Sequence, residues 1–228
     1  MNYFAHGIRF LDRPWFLVGT ATPDWLSVAD RKVRLREKLL IPFCEDEDFR
    51  TREFVAGAMQ HLHDDGWFHE TTAFFEITAE VAECFRRRCG ADERIRPGFL
   101  GHIFTEMLLD RLLIEQEPDL LDEYYRVLST VKGRHVEQIV NRITPRETQR
   151  LAYFIDLFSE IRFLEDYRDN ERLLERLNQV LRRVKLMPLP DLYLPAVEES
   201  WAVIRQRGRE LLPADRFHAT PTLGRTTS

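Results

Sequence analysis

Cysteine is scarce in this chain: the three present, Cys44, Cys84 and Cys89, form neither an even disulfide framework nor the paired spacing of a structural zinc site. That excludes a disulfide scaffold and fits a reducing compartment. Long apolar runs are also missing, since Arg9, Asp12, Arg13 and Pro14 interrupt the first apolar stretch and no basic region precedes it. The expectation is a cytoplasmic chain with no membrane partner. A basic excess is absent too: 33 Lys and Arg stand against 38 Asp and Glu, for a formal charge of -5, which argues against nucleic acid as the main partner. No internal repeat, low-complexity tract or run of alternating strand residues interrupts the sequence, so neither a solenoid nor a sheet-based fold is expected.

What is present is helical periodicity with a large aromatic supply, 16 phenylalanines and 4 tryptophans among 44% hydrophobic residues. Helices are expected over about residues 46–64, 69–88, 98–115, 119–142 with a break near Gly133, 167–186 and 193–211. Thr22-Pro23 reads as an N-cap followed by proline at the first helical position, which would place Asp24 in a first turn where exposed amides favour a carboxylate. Thr144-Pro145-Arg146-Glu147 repeats that pattern before the run Leu151, Phe154, Ile155, Phe158 and Ile161. Gly66 and Gly90 read as helix stops, and Pro188, Pro190 and Pro195 as a stiff connector. Together these features predict an all-α, single-domain helical bundle over residues 1–212, with a polar tail over 213–228 that has little to bury.

Side chains able to bind a metal fall on or beside these apolar stretches, where a polar group is costly unless partnered. His61 and Asp65 are four apart and share one helix face, and Asp64 is also within reach at three. His102 and Glu106 repeat the spacing inside a strongly apolar segment, and Asp110 continues that stripe. Each pair alone reads first as a solvated or capping interaction, and it is the two pairs together with Asp24 and His6 that point to a shared site. His6 lies in the apolar setting Tyr3-Phe4-Ala5-His6-Gly7-Ile8, as a hydrogen-bonded core residue or as a ligand. His63 and His69 are ambiguous, and the dipeptide His63-Asp64 invites an HD-type phosphohydrolase reading. Arg31, Lys32, Arg34, Arg36 and Lys38 crowd one short segment, as a solvated face or as a docking surface for an acidic macromolecule.

The order of these motifs resembles the acyl carrier protein phosphodiesterase family, an all-helical group related to HD-type phosphohydrolases. The resemblance rests on Met1-Asn2-Tyr3-Phe4-Ala5-His6, on Gly19 with Asp24, on Val55-Ala56-Gly57 followed by His61 and Asp65, on His102-Ile103-Phe104, and on Tyr167-Arg168-Asp169. It spans residues 1 to about 210 in family order. Three positions depart from the family pattern: Thr20 in place of asparagine, Gly101 in place of aspartate and His69 in place of an acid.

The resemblance implies an HD/phosphodiesterase-like bundle that uses a divalent metal, manganese first with magnesium or iron as alternatives, to release 4′-phosphopantetheine from holo-acyl carrier protein through metal-activated water. It further implies His6, Asp24, His61, Asp65 and His102 as ligands or their hydrogen-bonded supports, with Asp24 and Glu106 in catalytic roles, Glu106 taking a proton from water or orienting His102. Under this reading Arg31, Lys32, Arg34, Arg36 and Lys38 would dock the acidic carrier protein. Two alternatives stand beside it: a metal-dependent phosphohydrolase acting on a nucleotide or small phosphodiester, and a non-catalytic helical interaction module whose polar residues form a core network.

Overall fold

The computed structural model describes residues 1–89 and 95–218, the Cys89 side chain excepted. The Cys89 thiol, the expected stop at Gly90 and positions 219–228 of the expected tail therefore lie outside the described residues. Every regular element among the described residues is helical, so the all-α expectation holds. The α-helices are α1 (Tyr3–Gly7), α2 (Pro14–Ala29), α3 (Glu37–Leu40), α4 (Phe49–Phe68), α5 (Thr72–Cys89), α6 (Pro97–Gln116), α7 (Pro118–Ser129), α8 (Gly133–Ile143), α9 (Leu151–Ile161), α10 (Asn170–Arg183), α11 (Leu194–Arg207) and α12 (Ala214–Phe217). None of them is long and apolar enough to cross a membrane.

These helices gather into two compact units, each assembled from separate stretches of chain. Unit 1 comprises Met1–Ala5, Phe68–Asp122 and Arg162–Leu212, and unit 2 comprises His6–Trp67, Glu123–Ile161 and the described part of Pro213–Ser228. Unit 2 is centred on α2, whose Phe16, Leu17, Val18, Ala21, Trp25 and Leu26 are buried. Helix α4 crosses it at backbone contact distance, which glycine alone allows. A Cβ on Gly19 would stand 2.2 Å from the Phe54 carbonyl oxygen, and one on Gly57 would stand 2.0 Å from that of Phe16. In unit 1, α5 and α6 meet in the same manner at Gly101. There the buried Asp110 of α6 accepts the amides of Phe4 at 3.1 Å and Ala5 at 2.8 Å, so this carboxylate holds the start of α1.

Three local expectations are corrected. Thr22-Pro23 does not open a helix: Pro14 does, Pro23 lies inside α2, and the Thr22 hydroxyl donates back to the Val18 carbonyl at 2.6 Å. Burial of the surrounding apolar residues offsets the roughly 3 kcal/mol that an interior proline costs, and Asp24 is consequently not a first-turn residue. Thr144 ends α8 rather than opening α9, its hydroxyl donating to the Val140 carbonyl at 2.8 Å. The turn before α9 is organised by side chains of α8: Asn141 accepts from the Thr148 amide at 2.8 Å and donates to its carbonyl at 2.9 Å, and Glu137 accepts from the Ala152 amide at 3.0 Å. Gly66 stops nothing, because α4 runs on to Phe68. By contrast Asp169 does cap α10, accepting from the Arg172 amide at 3.0 Å.

Candidate metal centre

Unit 2 brings His6 of α1 against His61 and Asp65 of α4. One helical turn separates His61 from Asp65, so both project from the same face. His6 Nε2 stands 3.2 Å from Asp65 Oδ1 and His61 Nε2 3.6 Å from Asp65 Oδ2. The two imidazoles stack with centroids 4.0 Å apart, and one potential ligand atom from each of the three residues falls within 4.8 Å of the others.

The close crossing of α2 and α4 has a chemical result here. The main-chain carbonyl of Thr20 lies 2.8 Å from His61 Nδ1, and a carbonyl can only accept, so Nδ1 carries the proton and the Nε2 lone pair faces Asp65. Burial, reinforced by the charge of His6, drives the His61 pKa down to about 3 and keeps that ring neutral. His6 is completely buried, and neither of its ring nitrogens meets a hydrogen-bond partner in aligned geometry among the described residues. Burial alone would lower its pKa, but the Asp64 and Asp65 carboxylates outweigh it and raise the value to about 9. Asp65, opposed by burial and favoured by His6, is held well below the ordinary carboxylate range.

Two imidazoles and a carboxylate gathered in one buried group form a donor set that fits a divalent transition metal. Asp64 backs this group without joining it. It is fully buried and accepts from Arg9 Nη2, from Gln60 Nε2 at 2.8 Å and from Trp67 Nε1 at 3.2 Å. Its neighbour His63 is exposed, so the His63-Asp64 dipeptide does not act as a unit.

His102 and Glu106 are not part of this group, and neither is Asp24, which is partly buried on α2. The expected five-residue ligand set is thus divided. In unit 1, His102 and Glu106 meet His69 instead: Glu106 Oε1 lies 2.8 Å from His69 Nε2 and 3.1 Å from His102 Nε2. Burial would raise the Glu106 pKa, but the nearby Met1 ammonium and the hydrogen bonds from His102 and His69 bring it down to about 2. Spacing within a helix reveals which residues share a face, not which distant segment that face meets. His69, ambiguous in the sequence, completes the trio from the turn after α4.

Gly101 has no room for a side chain: a Cβ would stand 2.4 Å from the Thr78 carbonyl oxygen, so glycine here is a packing requirement of the α5–α6 crossing. Arg31, Lys32, Arg34, Arg36 and Lys38 are all exposed, while Val33 and Leu35 between them are buried and pin the segment to unit 2. No family model, curated protein or solved structure matches the chain.

Proposed function

We propose that this chain is a metal-dependent phosphodiester hydrolase, and that its substrate is the phosphodiester joining 4′-phosphopantetheine to holo-acyl carrier protein. The observation that carries the metal-dependent reading is the meeting of His6, a fully buried imidazole, with His61 and Asp65, one potential ligand atom of each lying within 4.8 Å of the others. The substrate rests on the motif order that resembles the phosphodiesterase family.

His6, His61 and Asp65 would hold the ion, for which manganese is the first choice and magnesium or iron the alternatives. When bound, a divalent ion there supplies Lewis-acid stabilisation of phosphoryl charge and acidifies solvent near neutral pH. The chain's own contribution is positional. Thr20 keeps the Nε2 lone pair of His61 available, and Asp64, tied to Arg9, Gln60 and Trp67, supports His6 from the side away from Asp65. Asp65, with a side chain about one-third exposed, is the member of the trio that solvent and substrate reach. Asp24 and Glu106, outside the trio, have no role in this reading. The exposed basic segment from Arg31 to Lys38 belongs to the same unit and supplies charge complementary to an acidic carrier protein.

The test assays manganese-loaded protein against holo-acyl carrier protein and against a chromogenic phosphodiester. Turnover of both, reduced more than about a hundredfold by His61→Ala with loss of bound manganese, is the expected outcome. No turnover of either substrate, or turnover indifferent to that substitution, overturns the reading.

A further inference from the structure

Unit 1 carries a second ligand set that owes nothing to the His6 group. We propose that His69, His102 and Glu106 form an independent binding site for a divalent transition-metal ion of the zinc class.

Four observations converge on it. Both histidines direct Nε2 at the same carboxylate oxygen, at 2.8 and 3.1 Å. Two donors bonded tetrahedrally to one ion at about 2.1 Å are themselves about 3.4 Å apart, so shifts of a few tenths of an ångström admit the ion. The imidazoles are nearly parallel, with centroids 4.9 Å apart and planes 27° from each other. The rings are also held before any ligand arrives. Phe74, buried, meets His69 edge-on at 4.9 Å and His102 at 5.0 Å, and Phe68 meets His69 at 5.4 Å.

Accessibility is graded in the manner of a site with an open position. The Glu106 side chain is 14% exposed and that of His102 42%, so the carboxylate is sheltered while one flank faces solvent. Two imidazoles and one carboxylate suit zinc or cobalt, whereas magnesium and calcium prefer all-oxygen shells. Three protein ligands with solvent access match catalytic rather than closed structural zinc sites. His69 supplies the second imidazole of the set.

Zinc content after equilibrium dialysis of the metal-free full chain, read by elemental analysis, tests the assignment. The double variant His102→Ala/Glu106→Gln is expected to retain one ion fewer than the parent. The variant His61→Ala/Asp65→Asn should still hold the ion that the first variant loses. His69→Gln, at a partly exposed ring, should reproduce the loss and serves where the double variant fails to fold. Equal zinc in the parent, in His69→Gln and in the double variant overturns the site. A single ion lost on disruption of either group overturns its independence. A single ion absent from His102→Ala/Glu106→Gln but kept by His61→Ala/Asp65→Asn supports this site and counts against the His6 reading instead.

Discussion

His6 shows how much one buried ring can report. With its pKa raised from 6.5 to about 9 by the Asp64 and Asp65 carboxylates against the opposing effect of burial, it links folding to pH with a definite sign. Below about pH 6.5 the ring is protonated in both folded and unfolded chains, and its pairing with the carboxylates contributes fully to stability. As pH rises through about 9 the folded ring gives up its proton and that contribution is lost. Urea unfolding of chelator-treated protein should therefore show stability declining between about pH 6.5 and 9, with the decline absent in His6→Gln. The candidate ligand residues are only half legible in the sequence. Four-residue spacing revealed His61 with Asp65 and His102 with Glu106 as pairs, but whether His6 was a core residue or a ligand depended on burial and orientation, which no single sequence encodes locally. His69 carried no periodic signal at all, because it sits in a turn.

At the scale of elements, glycines decide where helices touch. Gly19 and Gly57 let α2 and α4 approach so closely that the Thr20 carbonyl reaches His61. In Gly57→Ala the new methyl would meet the Phe16 carbonyl, so α4 must move away, with an expected destabilisation of about 1–3 kcal/mol. Metal affinity measured by titration should fall in the same variant, as the Thr20 bond that fixes the His61 tautomer lengthens. The helices themselves are legible from apolar periodicity, with ends a few residues off. The starts assigned to Thr22 and Thr144 are not. A threonine before a proline has the same local signature inside α2 or at the end of α8 as at a true start. What distinguishes them is tertiary: the burial of α2, and the reach of Asn141 to the turn before α9 and of Glu137 to the first turn of α9.

At the scale of the whole molecule, a net charge of -5 conceals an exposed cationic segment. If the proposed function holds, reversing two of its charges, as in Arg34→Glu/Arg36→Glu, should weaken turnover of holo-acyl carrier protein at least about tenfold and spare the chromogenic diester. Equal loss on both substrates would remove the docking role. Composition exposed this segment, but only the burial of Val33 and Leu35 shows that it is anchored to the unit holding the His6 group. The manner in which the chain builds its two units carries a last implication. Each draws on three separated stretches of sequence, so no single cut in the coding region would release either as an intact fragment. The two histidine groups are therefore carried by interleaved stretches of one polypeptide and are expressed together.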